Sequence, residues 1–184
     1  MSVTKESNVI MTVQARNRIV EYSPEGLIIR KIKLPQSTAL LHLWHSVKLN
    51  DECYVVSHGL HSDALHRVCI VDGDGNLTMA FGRESGSTFE QLNMPFYLAV
   101  GGDSGCVFVA DSHNNRVLML NTNLEFQKEI GSTTSHKFFG PRRIHLDEEK
   151  CLLVFATSAI EPTVETSEYC QILAFNLKPE LKIA

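Results

Sequence analysis

Several features that would indicate other kinds of protein are missing from this sequence of 184 residues. The first ten residues, MSVTKESNVI, contain no apolar stretch of signal-peptide length, and no later run approaches the roughly 18 to 20 apolar residues that span a bilayer. The five cysteines are odd in number and form no CxxC pair, which fits neither a disulfide framework nor a zinc knuckle. We therefore expect a cytoplasmic protein that does not contact a membrane.

Charge of one sign is not concentrated either. Lysine and arginine number 17 against 21 acidic residues, which gives a formal net charge of -4. This balance argues against nucleic acid as the main partner, because phosphate binding depends on clustered Lys and Arg. Catalytic patterns are also missing, since the sequence has no GxSxG, no Gly-rich phosphate loop and no HExxH. These absences favour a binding protein that is not an enzyme and needs no cofactor.

Helical periodicity is nearly absent, and a repeat of about fifty residues takes its place. Related segments begin at Arg18, Arg67 and Arg116, each 49 residues after the last, and a fourth begins 55 residues later at Gln171. Upstream of the last three segments lie two further short apolar runs, such as YLAV and CVFVAD. Each complete unit therefore predicts four short strands joined by turns.

Four-stranded units that repeat at this period predict an all-β fold, a β-propeller of about four antiparallel blades. We predict a single domain over 1–184, with blades at approximately 8–35, 42–82, 94–131 and 141–184. The first blade has room for one strand before Arg18, because the polar MSVTKES makes a poor innermost strand. An incomplete propeller, or open arc, would leave blade faces and strand edges bare, which predicts self-association.

The third unit carries the most specific motif. FGRESGSTFEQLNMPFYLAVGGDSGCVFVADSHNNRVLMLN, from Phe81 to Asn121, resembles a complete NHL repeat, with a Gly-rich lead, a proline that opens the inner strand and a V-x-D-x-x-N-x-R-V-like hairpin. The other units are degenerate: the second has Ser57 near the Asp position, the first has Val13 there, and the fourth has Gln171 in place of Arg. We assign a structural role to the repeat positions Pro95, Asp111, Asn115, Arg116, Arg67, Arg18 and Pro141.

This resemblance implies an NHL-type propeller that works by recognition. NHL propellers are best known as the substrate-binding or RNA-binding domains of TRIM-NHL ubiquitin ligases, although this chain has no Cys/His array for the zinc modules of those ligases. The first expectation is a protein-binding scaffold, as an adaptor or substrate-recognition part of a TRIM-NHL-like ubiquitin pathway. Single-stranded RNA binding is the alternative from another class. A third option is a propeller enzyme similar to peptidyl-amidoglycolate lyase, which would require secretion, a metal and a His-based site.

The segment SHKFFGPRRIH, residues 135–145, is the candidate binding stretch. It interleaves basic and aromatic residues, a combination that can stack on bases or hold an acidic peptide. Because side chains alternate along a strand, we expect only one of Arg142 and Arg143 to face the central channel, while Phe138 or Phe139 packs between blades. The predicted binding residues are His136, Lys137, Arg142, Arg143 and His145.

A second polar segment, HGLHSDALH, is a weaker candidate. Its histidines His58, His61 and His66 are of a type that binds zinc, but their spacing matches no strict zinc motif. The blade alignment places the segment in an exposed hairpin, so a polar loop without metal is the favoured interpretation. Contacts with a partner are expected on the loops at 36–43, 58–66, 83–94, 132–140 and 157–169.

Overall fold

The computed structural model describes residues 1–35, 40, 42–60, 65–101, 105–136, 138–158 and 170–177. Within them, fifteen β-strands form four antiparallel sheets, arranged as the blades of a four-blade β-propeller, which confirms the all-β prediction. The strands of the first two sheets are β1 (Ser2–Val3), β2 (Val9–Val13), β3 (Arg18–Tyr22), β4 (Ile28–Lys33), β5 (Leu43–Lys48), β6 (Cys53–His58), β7 (Arg67–Asp72) and β8 (Leu77–Phe81). Those of the last two are β9 (Pro95–Val100), β10 (Val107–Asp111), β11 (Arg116–Leu120), β12 (Phe126–Ser132), β13 (Pro141–Asp147), β14 (Leu152–Ser158) and β15 (Cys170–Asn176).

Helical structure is confined to short turns. Helix α1 spans Thr133–His136, and 3-10 turns lie at Gln14–Arg16 and Ser112–Asn114. None of the helices in the described ranges has the length and apolar character needed to cross a membrane.

Apolar contacts between successive sheets form the core. One cluster joins the first sheet to the second through residues such as Ile19 and Val56, and another joins the second to the third through Ile70 and Leu118. The last cluster joins the third sheet to the fourth and contains Phe138, which is fully buried as predicted. No such cluster among the described residues joins the fourth sheet to the first. Within the described part of the chain, apolar packing therefore joins each sheet to the next one in sequence.

The strand content of the terminal sheets differs from the prediction. We expected no innermost strand in MSVTKES, yet Ser2 and Val3 form β1, opposite Ile10 and Val9. A strand of two residues needs little apolar sequence, because main-chain pairing with β2 and the hydrogen bond from Ser2 Oγ to the Ser46 carbonyl hold it in place. The first sheet therefore has four strands, while the described part of the fourth sheet has three.

Two ends of the sheets can be distinguished by their loops. The loops that join one sheet to the next lie at the same end as the second-to-third strand turns, and this end is called the connection face. The opposite end carries the first-to-second and third-to-fourth strand turns and is called the hairpin face. The inner strands β5, β9 and β13 begin at the connection face and run toward the hairpin face.

The motif of the third repeat fixes the connection that enters the third sheet. Asp111 lies opposite Arg116, and the Arg116 Nε donates to Asp111 Oδ2 over 2.7 Å. The same guanidinium donates to the carbonyls of Ser87, Thr88 and Gln91 at 3.1, 2.9 and 2.8 Å. Both side chains are buried. The ion pair thus joins the loop 82–94 to the sheet.

The positions equivalent to Asp111 and Arg116 hold different pairs of residues in the first and second sheets. In the second sheet, the strand register places His58 opposite Arg67, so His58 and not the neighbouring Ser57 occupies the Asp position. Arg67 Nε donates to His58 Nε2 over 3.2 Å. In the first sheet, Val13 lies opposite Arg18, as expected from the alignment. Val13 cannot accept a hydrogen bond from Arg18.

Candidate functional site

Three inner strands carry a β-bulge at the same place. The strand register skips Trp44 in β5, Phe96 in β9 and Arg142 in β13, each of which follows the first residue of its strand. A bulge changes the direction of the extra residue and of the strand near it. In this propeller it turns three side chains toward one another at the connection face.

We call these three residues the bulge ladder. The Trp44 and Phe96 rings meet edge to face, with centroids 4.4 Å apart and an interplanar angle of 86°. Arg142 Cζ lies 5.1 Å from the Phe96 ring centroid, within the range of a cation–π interaction. Trp44 Nε1 donates to the Gly59 carbonyl over 2.7 Å, and exposed His113 approaches Phe96 with ring centroids 6.0 Å apart. The ladder presents aromatic and cationic groups at the start of the channel.

A second layer lies one residue further along the same strands. In this channel ladder, the rings of His45 and Tyr97 stack at 3.6 Å, and Arg143 Cζ lies 4.9 Å from the Tyr97 centroid. The Leu98 N–H donates to His45 Nδ1 over 3.3 Å, so Nε2 carries the imidazole hydrogen and donates to the Met1 carbonyl over 3.1 Å. Burial lowers the pKa of His45 to about 3. His45 is therefore neutral near pH 7 and holds the first sheet against the second and third.

A cavity of about 830 Å³ opens at the hairpin face. Its wall consists of residues 1–6, His45 and Tyr97 of the channel ladder, the later residues of β5, β9 and β13, and the turns after β5 and β13. Two ion pairs lie in this wall: Lys5 lies 3.5 Å from Glu148, and Lys48 lies 3.7 Å from Asp51. In the described ranges, no group of three His, Cys, Asp or Glu side chains is placed to hold a metal ion.

The predicted binding residues of 135–145 do not form one patch. Exposed His136 lies in α1, where its ring contacts Phe175 with centroids 4.6 Å apart, and Lys137 lies outside the described residues. Arg142 belongs to the bulge ladder and Arg143 to the channel ladder, whereas His145 lines the cavity at the hairpin face. The expectation that only one of the two arginines could face inward was wrong, because the bulge between Pro141 and Arg143 breaks the alternation of side chains.

The histidine-rich segment differs from the exposed polar loop that the sequence predicted. His58 and His66 are both buried, and His61 lies outside the described residues. His66 Nδ1 accepts from the Met94 N–H over 3.0 Å, so its Nε2 carries the hydrogen and donates to the Leu60 carbonyl over 2.8 Å. His66 thus joins the second sheet to the segment that enters the third, while His58 bonds to Arg67 within the second sheet.

Sequence reasoning missed the aromatic half of both ladders. Alignment of the inner strands LWHSVK, PFYLAV and PRRIHL places Trp44, Phe96 and Arg142 in one column, and His45, Tyr97 and Arg143 in the next. That column pattern was the available signal. It becomes visible only when the inner strands are aligned with each other, because the repeat motif itself lies in the second and third strands.

Comparisons with known proteins give the fold and no closer relationship. No family model and no curated protein matches the chain. A protein of unknown function from Bacteroides caccae superposes with a TM-score of 0.73 at 14% identity, over 95% of this chain and 61% of the other. Hydrazine synthase from Kuenenia stuttgartiensis gives 0.65 at 14% identity, over 96% and 45%.

An enzyme of known substrate class is among the similar structures. Virginiamycin B lyase from Staphylococcus aureus superposes with a TM-score of 0.54 at 14% identity, over 95% of this chain and 54% of the lyase. The chain thus spans about half to three-fifths of the length of these proteins. At such low identity the similarity concerns the β-propeller architecture alone.

Proposed function

We propose that this chain is an NHL-type recognition scaffold that binds a protein partner at its connection face and performs no chemical step of its own. The bulge ladder carries the proposal. Tryptophan and arginine are enriched among the residues that dominate binding free energy in protein interfaces. Three strands fix Trp44, Phe96 and Arg142 in one row, so little side-chain entropy is lost when a ligand binds.

The chemistry of the ladder favours an extended acidic segment as the ligand. Exposed Arg142 offers a guanidinium to a carboxylate, and the half-buried rings of Trp44 and Phe96 offer apolar surface beside it. Such a segment fits an adaptor or substrate-recognition part of a TRIM-NHL-like ubiquitin pathway. The resemblance of the third repeat to the NHL motif supports this assignment, and the buried Asp111–Arg116 pair is consistent with it.

The protonation state of His45 supports a function that involves no proton transfer. His45 is neutral near pH 7 because burial lowers its pKa to about 3, and main-chain groups occupy both of its nitrogens. A general base for catalysis needs a pKa near the working pH and access to the substrate. His45 lines the cavity but lacks the first property, since its pKa is about 3.

The only tryptophan of the chain provides a direct test, because Trp44 lies in the ladder. Peptides would be selected from a display library on the purified chain and titrated by tryptophan fluorescence. We expect acidic peptides that change Trp44 emission and lose about tenfold or more affinity in Phe96→Ala. Leu27→Ala, a change at a 69% exposed residue of a hairpin-face turn, is the control and should retain affinity. Selected peptides that bind Phe96→Ala as tightly as the unchanged chain would contradict the proposal.

Single-stranded RNA is the second candidate, and both cation–π pairs favour it. Arg142 over Phe96 and Arg143 over Tyr97 present planar groups on which bases can stack. An RNA ligand would bind with an affinity that falls steeply with added salt and is lost in Arg142→Ala/Arg143→Ala. Fluorescence anisotropy with a labelled oligouridine measures both properties. Capture of acidic peptides together with absence of oligouridine binding at low salt would exclude the RNA alternative.

A further inference from the structure

The first sheet has one face that no other sheet covers with a cluster of the described residues. Ile10, Ile19 and Ile32 point to the second sheet, so the alternating residues of β2 and β3 point the other way. This entry face contains Val9, Met11, Val13 and Tyr22, together with Val20, which is 4% exposed. The same positions of the second sheet include Val56 and Cys69, which are fully buried against the first sheet. In the first sheet Met11 is 41% exposed.

The described part of the fourth sheet has a matching face that no cluster of described residues covers. Leu153 and Phe155 pack on the third sheet, so their neighbours point away from it. This exit face contains Leu152, Val154, Ala156, Ile172 and Ala174. The corresponding residues of the third sheet, which include Phe108 and Val117, are fully buried against the fourth sheet. Ile172 is 75% exposed.

The environment of Arg18 indicates that the entry face can bind main-chain carbonyl groups. Its sister Arg116 donates to three carbonyls of the loop that enters the third sheet from the preceding sheet. The Arg18 Nε is buried, and it has no hydrogen-bond acceptor among the described residues. A buried donor on a charged group without an acceptor is costly in free energy. A chain that docks on the entry face with its carbonyls toward Arg18 would remove that cost.

We propose that a second copy of this chain docks on the entry face with its exit face, head to tail. Each of the three interfaces within the chain joins the exit face of one sheet to the entry face of the next. Among the described residues, the entry face of the first sheet and the exit face of the fourth have no such partner. A second copy of the chain offers an exit face to the former and an entry face to the latter. The chain covers 61% of the Bacteroides caccae protein and 45% of the hydrazine synthase.

Sedimentation equilibrium of the purified chain tests the proposal. We expect association that increases with concentration, and a dissociation constant that rises about tenfold or more in Met11→Glu and in Ile172→Glu. Met79→Glu is the matched control, because Met79 is 42% exposed, as Met11 is, but lies on the outer strand of the second sheet. Arg18→Ala should weaken association by roughly tenfold, the usual effect of losing hydrogen bonds to a charged group. Circular dichroism establishes that each variant is folded.

Mixing the variants tests the head-to-tail arrangement. Met11→Glu blocks the entry face and Ile172→Glu the exit face, so a mixture of the two still contains one intact pair of faces. We expect this mixture to form heterodimers while each variant alone is monomeric. A mixture that stays monomeric would overturn the head-to-tail arrangement. A chain that is monomeric at every concentration, or whose association is indifferent to both changes, would overturn the proposal as a whole.

Discussion

Arg116 and Arg18 occupy equivalent repeat positions but have different contacts. Their replacement by alanine should therefore change the free energy of unfolding by different amounts. Arg116 pairs with buried Asp111 and donates to three carbonyls, so Arg116→Ala leaves an uncompensated buried carboxylate and should cost about 3 to 5 kcal/mol of unfolding free energy. Arg18 lies opposite Val13, and its buried Nε has no acceptor within the described residues, so Arg18→Ala should change the free chain by less than about 1 kcal/mol. Urea unfolding of the monomer measures both changes. Equal losses would contradict the structural role assigned to the Arg116 contacts.

Glu21 gives the stability of the chain a specific pH dependence. Its buried carboxylate accepts hydrogen bonds from Tyr54, from Asn8 over 3.0 Å and from Lys48 over 3.2 Å. Burial alone would raise the pKa of Glu21, but these three donors outweigh it, and the net pKa is lowered. A carboxyl group whose folded pKa lies below its unfolded value stabilises the fold above the unfolded pKa. That stability is lost as the pH falls through the folded pKa.

Glu21→Gln tests this pH dependence, because glutamine does not titrate. Unfolding free energies would be measured in urea over a series of pH values. We expect the advantage of the unchanged chain over Glu21→Gln to be constant above about pH 5 and to shrink as the pH falls below about 4. Glu90→Gln, at an exposed residue of the loop 82–94, serves as the control. An advantage that grows toward acid pH would show that the carboxylate is not stabilised by its donors.

At the level of strands, burial predicts which elements open last. Every residue of β10 and β11 is buried, because one face packs on the second sheet and the other on the fourth. The outer strands β4 and β8 are mostly exposed. Amide hydrogen exchange should therefore be slowest in β10 and β11 and faster in β4 and β8. Faster exchange in β10 than in β8 would contradict the packing described for the third sheet.

The sequence predicts the strands better than it predicts the site. Alternation and the 49-residue period identify four sheets, because each sheet needs an apolar face on each side. The bulges at Trp44, Phe96 and Arg142 depend on how the inner strands pair, and no single residue type indicates them. The burial of His58 and His66 was missed for a related reason. His58 Nε2 accepts from Arg67, and both ring nitrogens of His66 bond to main-chain groups of other segments, contacts that only the fold brings together.

The arrangement of the whole molecule decides how it unfolds. Among the described residues, apolar clusters cover both faces of the second and third sheets but only one face each of the first and fourth. A terminal sheet that has only one packed interface should separate from the arc before the inner sheets do, as terminal units do in repeat proteins. Trp44, which lies in the second sheet, reports on the inner sheets, and far-ultraviolet circular dichroism reports on all four.

We therefore expect two transitions that do not coincide when the chain is unfolded in urea. The experiment uses Ile172→Glu at low concentration, so that association does not cover the terminal faces. Loss of circular dichroism should begin at a lower urea concentration than the change in Trp44 fluorescence, because the first and fourth sheets open while the second and third remain packed. Coincident transitions would require all four sheets to unfold together, as in a ring closed by a fourth apolar interface, and would contradict the separate opening of the terminal sheets.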